Sequence, residues 1–427
     1  MMGPCWIRDC WQNGGLRGRI WLGAWALAIL GLLVNVLIAA GERNDMDIFL
    51  QASADLRAGR NAYLLRYNEW YRYFYSPFFA LAIAPLEWLG AAGAKWLWGL
   101  GIIALMLRSL RIMESWLGLS GAPPVERARF HALLLLLLFQ PVRDNINSMQ
   151  LTPLLVWISL EGLRLIRAER PWLGSALIAI GLDAKLLPAV LLPYLLWRRH
   201  WMGALASVTL FAALQFAPAL ALGWDELMEL HRTRAELLNP TDARHILDEE
   251  EPSFIALGSL LSAYLSTEGG SSHTLALPRN LAALTVEQIA VLLLIGRLTL
   301  IALTLAFVGW PPFRNELNDQ RVLREAGYLL LCTILLFPHQ RNYSMLLAAP
   351  AIAWLLHARL MLPSGRVAKR WTIGLVLVFL GLNTELMLGE FADVYAHYKL
   401  KSFVAIGLIA MLVASPVRQG SRSTEQP

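Results

Sequence analysis

The sequence of 427 residues is poor in cysteine and in charged residues, and both shortages limit the kinds of protein that it can encode. Its three cysteines are Cys5 and Cys10, before the first apolar run, and Cys332, inside a later one. Three scattered cysteines make neither a disulfide framework nor a thiolate metal site, so we predict neither. Charged residues make up only 16% of the chain, against about 25% in a typical soluble domain. The sequence also has no glycine-rich phosphate loop and no internal repeat.

Apolar sequence is what the chain has in excess. Hydrophobic residues make up 57% of it, and long apolar runs recur along nearly its whole length. Many of these runs approach the about 20 residues that cross a bilayer as a helix. We therefore predict an all-α polytopic membrane protein, since a helix satisfies its own backbone in lipid. The formal net charge of +6 comes from short basic clusters that orient spans, and it does not indicate nucleic-acid binding.

Basic residues in short loops favour the cytoplasm, and this preference sets the predicted orientation. Residues 20–40 form the first span, because they exceed the about 7–15 apolar residues of a signal peptide. We predict a cytoplasmic terminus at 1–19, a single membrane domain at 20–416 and a cytoplasmic tail at 417–427, in the plasma (inner) membrane. The predicted spans, twelve in number, are 20–40, 95–113, 129–142, 150–166, 172–184, 186–197, 201–222, 287–309, 323–337, 343–358, 371–389 and 402–416.

Residues 75–90 are apolar but are left out of the spans. Counting them as a crossing would place later basic clusters, such as Arg198 and Arg199, outside. We predict instead that this segment, bracketed by Pro77 and Pro85, dips into the outer leaflet and returns while buried against protein.

Two long outer loops follow from this orientation, at 41–94 and 223–286. The second contains ten acidic residues against four arginines. We predict that it holds a surface helix at 225–237 and an apolar helix at 252–266.

Most polar residues outside the basic clusters fall on one predicted side of the membrane. Charges beside apolar helices usually face a cavity or each other, so we predict a single site that opens away from the cytoplasm. Charged and aromatic groups at a membrane surface suit a substrate that is half lipid and half sugar or phosphate. The polar residues concerned are Asp45, Asp47, Arg143, Asp144, Asn145, Asn147, Gln150, Asp183, Lys185, Asp248, Glu249, Glu250, Glu251, His339, Gln340 and Arg341.

Several of these residues have a structural alternative. Asp47 can act as a general base for a sugar hydroxyl. The alternative is that Asp45 or Asp47 caps a helix that begins near Ile48. Asp183 and Lys185 flank a turn, where they pair with each other or Lys185 meets a phosphate.

Other charged residues also allow more than one interpretation. His339 and Arg341 either form a structural pair or contact a phosphate, and we favour phosphate contact for them. The acidic run 248–251 is interpreted as a solvated surface. Arg297 lies within the span at 287–309 and either reaches the cavity or pairs with an acid.

Five stretches together resemble glycosyltransferase family 87. They are Asp47-Ile48-Phe49 followed by Gly59 and Tyr63; YFYSPFFALAIAPL at 73–86, with Ser76 in place of a usual proline; the turn 147–152; GSALIAIGLDAKLLPAVLLPYLLWRRHW at 174–201; and LFPHQRNYSMLLAAP at 336–350. The resemblance implies a GT-C fold with about twelve transmembrane helices and a polyprenyl-phosphate sugar donor. It also implies a glycolipid or glycan acceptor on the outer face. It implies no cofactor, and the sequence gives no support for a metal.

The resemblance further implies an inverting transfer of a hexose, with mannose foremost. Asp47 would be the general base, and Lys185, Arg341 and His339 would hold the donor phosphate. Candidates for substrate contact are Asp45, Tyr63, Tyr75, Arg143, Asn147, Gln150 and Glu251.

Two other functions compete with this interpretation. A flippase or transporter for a lipid-linked sugar is disfavoured, because the charges lie on one side and repeated halves are absent. A polyprenyl-sugar-dependent transferase that acts on protein or on lipid A usually has an Asp-Glu pair in the first loop, where this chain has Asn44-Asp45.

Overall fold

The computed structural model describes residues 5–69, 71–248, 251–266, 275–309, 312–315, 318–361 and 365–415. Regular structure in these residues is helical, apart from isolated bridges that join Tyr67 to Tyr71 and Ser266 to Leu284. The α-helices are α1 (Cys5–Asn13), α2 (Gly15–Gly41), α3 (Asp45–Arg57), α4 (Pro77–Ile83), α5 (Gly90–Trp116), α6 (Pro124–Leu137), α7 (Phe139–Asn147), α8 (Thr152–Arg167), α9 (Pro171–Ala184), α10 (Leu191–Trp197), α11 (Trp201–Phe216), α12 (Ala219–Leu222), α13 (Trp224–Leu237), α14 (Ala243–Leu247), α15 (Leu257–Leu265), α16 (Val286–Val308), α17 (Asp319–Leu336), α18 (Ala349–Met361), α19 (Arg366–Leu382), α20 (Thr384–Leu388), α21 (Phe391–His397) and α22 (Leu400–Ala414). Short 3₁₀ turns lie at Ala84–Leu89, Leu119–Gly121, Leu187–Val190 and Asn342–Ala348.

Several helical stretches are long and apolar enough to cross a bilayer. Within the described ranges there are five by length and composition: Gly15–Gly41, Pro77–Trp116, Trp201–Leu222, Val286–Val308 and Asn342–Met361. Two bent pairs, α7 with α8 at 118° and α21 with α22 at 67°, raise the number to seven. An all-helical chain with several apolar spans is therefore confirmed. The count of twelve remains a prediction, since helices such as Pro171–Ala184 are too short to qualify alone.

The segment predicted to dip into the membrane forms α4 and the following 3₁₀ turn. Ser76 caps α4 by accepting a hydrogen bond from the Phe79 N–H at 2.9 Å, and Pro77 occupies the first turn, where a missing N–H costs nothing. Glu87 in the 3₁₀ turn pairs with Arg57 at the end of α3. Pro77–Trp116 covers 40 residues, about twice what one crossing needs, so part of it lies outside a single crossing. The dip itself stays a prediction.

Both helices predicted in the loop at 223–286 are present. The surface helix at 225–237 is α13, and the apolar helix at 252–266 is the shorter α15. The short α14 between them was not predicted. These helices bring Glu251 and Ser253 to the mouth of the bundle, where each contacts Arg341.

One hydrophobic core joins α2, α3, α5, α8, α17 and α18. Helices α8, α9 and α11 pack side by side, and α17 packs against α18, α22 and the 3₁₀ turn at Asn342–Ala348. Cys10 and Cys332 are buried free thiols; the side chain of Cys5 and the tail at 417–427 lie outside the described residues. The core fixes the ends of these helices, and those ends form the candidate site.

Candidate active site

Four breaks between helices meet at one end of the bundle. Asp45 is the first residue of α3, and Gln150 lies in the sharp bend between α7 and α8. Lys185 ends α9, and Arg341 precedes the 3₁₀ turn at Asn342–Ala348. Lys185, Arg341 and Gln150 are all electrostatic or hydrogen-bond neighbours of Asp45. The predicted meeting of these polar residues in one site is therefore seen for these four.

The Asp45 carboxylate is held by a chain of hydrogen bonds. The Gln150 Nε2 group donates to Asp45 Oδ2, and the Tyr75 hydroxyl donates to Gln150 Oε1 at 3.4 Å. Asn44 fixes the start of α3, because its side chain accepts from the Met46 N–H and donates to the Ala39 carbonyl at the end of α2. Burial raises the pKa of Asp45 to about 6, although Arg341 and Lys185 oppose that shift. Such a carboxylate accepts a proton near neutral pH.

Arg341 is a cation anchored on the opposite wall of the site. Its Nη2 lies 2.9 Å from Glu251 Oε2, and its Nε donates to the Ser253 hydroxyl at 3.3 Å. The guanidinium carbon is 5.9 Å from the centre of the Tyr71 ring. These contacts hold the planar guanidinium in one orientation, which suits recognition of a phosphate.

Lys185 is a second cation that faces Asp45. Its Nζ lies 5.5 Å from the centre of the Tyr343 ring, and within the described part of the chain no acidic oxygen lies within ion-pair distance of it. Burial lowers the pKa of Lys185 to about 8, and Asp45 opposes the shift. A half-buried ammonium without a close acid can accept an anionic ligand.

Asp45, and not the expected Asp47, is the aspartate named among the charged neighbours of Lys185 and Arg341. Asp47 completes the capping box of α3 by accepting from the Asn44 N–H at 3.0 Å. Its Oδ2 also lies 2.9 Å from Lys95 Nζ. Residues two apart on a helix point in different directions, so α3 turns Asp45 towards Lys185 and Asp47 away from it. The predicted helix cap is thus present, and the helix begins at Asp45, three residues before Ile48.

Asp183 does not pair with Lys185, so that alternative was wrong. The buried Asp183 accepts from the Ser76 hydroxyl and from Gln215 Nε2, each at 2.5 Å. Arg234 contributes a further attractive charge. Asp183 is therefore satisfied by α4 and α11, and Lys185 remains available to a ligand.

His339 belongs to a neighbouring cluster. Its ring contacts Asp248 Oδ1 at 3.1 Å and His245 Nδ1 at 2.5 Å. Asp248 is fully buried, and its other oxygen has no hydrogen-bond partner among the described residues. Asp248 is a charged neighbour of Arg297, but the two form no ion pair among the described residues, so both sequence-based alternatives for Arg297 stay open.

Two members of the acidic run predicted to be a solvated surface are instead bound within the protein. Asp248 is buried against His339, and Glu251 is bound by Arg341. Their partners lie far away in sequence, so the run alone gave no sign of them. Glu249 and Glu250 lie outside the described residues.

Three other predicted contacts have structural roles here. Tyr63 is fully buried and donates to the Tyr75 carbonyl at 2.8 Å. Asn147 accepts from the Asn35 side chain at 2.7 Å. Arg143 is a charged neighbour of Asp144 in a separate group with Lys401 and Glu385. None of these contacts joins them to Asp45.

Sequence reasoning missed Ser253, Tyr71 and Tyr343 in the site. Tyr343 lies two residues after Arg341 in the FPHQRNY turn, so its position was available as a signal. Ser253 and Tyr71 carry no charge pattern, and only the fold brings them to Arg341.

The arrangement places a proton acceptor opposite two cations. A carboxylate with a raised pKa takes a proton from a hydroxyl, and fixed cations stabilise negative charge that grows on a leaving group. These are the requirements of a displacement in which an alcohol replaces a phosphate.

Comparison with known proteins gives two matches. The model of glycosyltransferase family 87 matches residues 73–338, which is more than half of the chain. A polyprenol-phosphate-mannose-dependent alpha-(1-2)-phosphatidylinositol pentamannoside mannosyltransferase from Mycolicibacterium smegmatis is 28% identical over 168 residues. That alignment covers 39% of this chain and 38% of the relative, well under two thirds of its length. Asp45 and Arg341 lie outside the residues that the family model matches.

Proposed function

The chain belongs to glycosyltransferase family 87, and from this premise we propose that it is an inverting transferase for a lipid-linked hexose. It moves mannose from a polyprenyl phosphate to a glycolipid or glycan acceptor on the outer face of the membrane. The observation that supports this proposal best is the placement of Asp45 opposite Lys185 and Arg341. The dependence of the mycobacterial relative on polyprenol-phosphate-mannose supports the choice of donor.

Asp45 is the general base in this proposal. It takes the proton from the acceptor hydroxyl while that oxygen attacks the anomeric carbon of the sugar. Attack from the face opposite the phosphate inverts the configuration, so a β-linked donor gives an α-linked product. Gln150, which donates to Asp45, holds the carboxylate towards the acceptor.

Lys185 and Arg341 bind the leaving phosphate. The bond between the anomeric carbon and the phosphate oxygen breaks, and both electrons leave with the lipid phosphate. The growing negative charge is stabilised by cations that are already in place. His339 contacts Asp248 and His245 in the neighbouring cluster, so in this proposal Lys185 and Arg341 hold the phosphate and His339 does not. The two site cations supply the positive charge, so the proposal needs no cofactor.

The test measures transfer of radiolabelled mannose from polyprenyl-phosphate mannose to membrane acceptors. We expect Asp45→Asn to lower kcat by about 10²–10⁴-fold, the usual contribution of a general base. Asp47→Asn should lower it much less, because Asp47 faces Lys95. Asp55→Asn is a matched control on the same helix, where Asp55 binds Arg60 and Tyr67.

Each outcome has a clear meaning. If Asp45→Asn transfers as fast as the native chain, Asp45 is not the base. If Asp47→Asn alone abolishes transfer, the base is the residue expected from sequence. Absence of transfer by the native chain from polyprenyl-phosphate mannose, with the lipid carried across the bilayer instead, would support the flippase alternative.

A further inference from the structure

A polar cavity lies beside the first turn of α3. Its volume is about 390 Å³, within the range of about 300–1,000 Å³ of small-molecule sites. It is distinct from the Asp45 site, because Asp47 and not Asp45 lines it. The lining residues are Gly41, Glu42, Arg43, Asp47, Gln51, Asn68, Glu69 and Lys95.

The floor of this cavity is fixed by one buried cation. Lys95 is 6% exposed; its Nζ lies 2.9 Å from Asp47 Oδ2 and donates to the Glu42 carbonyl at 2.7 Å. This ion pair ties α5 to the first turn of α3. The charge of Asp47 is therefore already balanced, and Asp47 shapes the cavity without being free to act as a base.

The rim of the cavity has unused hydrogen-bonding groups. The side chains of Glu42, Arg43, Gln51 and Glu69 are exposed and that of Asn68 is half-buried. None of the five has a hydrogen bond or ion pair to other described residues, so all are open to a ligand from solution. Carboxylates accept hydrogen bonds from hydroxyls, amides do both, and a guanidinium donates. A ring of such groups around a cavity fits a ligand that is rich in hydroxyls.

The charge of the rim argues against a phosphate ligand. Glu42 and Glu69 are unpaired acids, and Arg43 is the single unpaired cation among the described lining residues. Two carboxylates against one guanidinium repel an anion. The described residues also contain no group of acidic, histidine or cysteine side chains arranged to hold a metal ion.

We propose that this cavity binds the neutral, hydroxyl-rich glycan of the acceptor. The inference rests on the proposed function, because the acceptor must present a hydroxyl to Asp45. Asp45 and Asp47 lie in the same helical turn, so a glycan that passes around the start of α3 reaches both pockets. The donor does not fill it, since its phosphate sits with Lys185 and its single sugar must place the anomeric carbon beside Asp45. The cavity therefore selects acceptors with several sugars.

The test compares two synthetic probes on the full chain in nanodiscs. One is octyl α-mannoside, and the other is an octyl glycoside of a linear chain of four mannoses. Isothermal titration calorimetry measures binding without donor, so the result does not depend on transfer. We expect the four-sugar probe to bind at least about tenfold more tightly, because each hydrogen bond to a charged group contributes appreciably. Equal affinities for the two probes would overturn the proposal.

The Glu42→Gln, Glu69→Gln double variant tests the cavity itself. We expect it to weaken binding of the four-sugar probe by about tenfold and to weaken the one-sugar probe by much less. Glu390→Gln is the matched control, because Glu390 is exposed in the loop before α21. Thermal unfolding confirms that each variant is folded. Equal weakening of both probes, or no change for either, contradicts the assignment.

Steady-state transfer separates the acceptor from the donor. In the same double variant, we expect KM for the four-sugar acceptor to rise while KM for polyprenyl-phosphate mannose is unchanged. A rise in the donor KM would place the donor sugar in the cavity and overturn the acceptor assignment. Failure of the proposed function is recognised differently, as loss of transfer with every probe while glycan binding persists.

Discussion

Asp45 and Lys185 face each other with displaced pKa values, and the two displacements set limits on the reaction. Burial raises the pKa of the Asp45 carboxyl to about 6, and burial lowers that of the Lys185 ammonium to about 8. In the proposed mechanism the Asp45 carboxyl must be ionised to act as the base, and the Lys185 ammonium must be protonated to bind the phosphate. Both conditions hold together only between these values, so the two residues define a window of activity.

A bell-shaped pH profile is therefore predicted for kcat/KM. Activity should rise as pH increases through about 6, because Asp45 loses its proton. It should fall above about 8, because Lys185 loses its charge. Initial rates between pH 5 and pH 10 with labelled donor measure both limbs.

Lys185→Arg is the control for this profile. A guanidinium stays charged throughout, so the alkaline limb should disappear while the acid limb remains. An unchanged alkaline limb in that variant would exclude Lys185 as its origin.

The sequence alone identified which residues form the site better than it identified which way their side chains point. Lys185, Arg341, Gln150, Tyr75 and Glu251 were expected together and are found together around Asp45. The choice between Asp45 and Asp47 depended on where α3 begins. A shift of one or two residues in the start of a helix turns a side chain to another face, and the sequence does not fix helix ends so closely.

Close contact between α8 and α9 explains the glycine at position 174, near the start of α9. A Cβ atom on Gly174 would lie 2.5 Å from the Gly162 carbonyl oxygen and 2.7 Å from Ile166 Cγ1. Gly162 and Ile166 both belong to α8, so only glycine at 174 permits this separation. The contact sets the position of α9, whose last turn carries Asp183 and leads into Lys185.

Gly174→Ala should therefore push α9 away from α8. We expect a loss of about 1–3 kcal/mol in stability, as for other overpacked positions, together with reduced transfer. Thermal unfolding in detergent measures the first effect. Gly101→Ala on α5 is the control, because a Cβ there meets nothing within 4 Å. Equal unfolding temperatures for the two variants would contradict the tight packing at Gly174.

Ser76 connects α4 to α9 through its side chain. Its hydroxyl accepts from the Phe79 N–H and donates to Asp183. We expect Ser76→Ala to cost about 0.5–2 kcal/mol through the lost cap and to lower transfer, because Tyr75 and Lys185 are then less firmly held. Ser76→Thr keeps the hydroxyl and should retain the activity of the native chain. Transfer assays and unfolding of both variants check this, and loss of activity in the threonine variant alone would contradict it.

The helix breaks were partly visible in the sequence. Pro153, Pro188 and Pro338 stand close to the breaks that hold Gln150, Lys185 and Arg341, and proline interrupts or begins helices. That these breaks meet at one end was not visible, because it follows from the packing of α8, α9 and α17 in one core.

At the scale of the whole molecule, the number of membrane-spanning helices is harder to predict from sequence than the class of protein, a helical membrane protein. The apolar content gave a membrane protein with many helices, and five to seven helical units meet the length test within the described residues. Helices α6 and α7 divide the run predicted as one span at 129–142, and α19 ends at Leu382 inside the span predicted at 371–389. Hydropathy does not show such breaks, because a broken helix stays apolar when protein covers it.

The orientation of the molecule gives the last prediction. We expect the site to face away from the cytoplasm, because basic residues cluster at the other predicted side. In a chain whose three cysteines are replaced by alanine, single cysteines are introduced as Glu69→Cys, Trp88→Cys and Arg366→Cys. All three positions are exposed.

A membrane-impermeant maleimide applied to intact cells should label positions 69 and 88, and it should label 366 only after the membrane is opened. Trp88 follows Glu87, which pairs with Arg57 in the loop predicted to be outer, so it should behave like Glu69 if the segment at 75–90 returns to the outer side. Labelling of 69 but not 88 in intact cells would mean that this segment crosses completely, and labelling of 366 alone would invert the whole orientation.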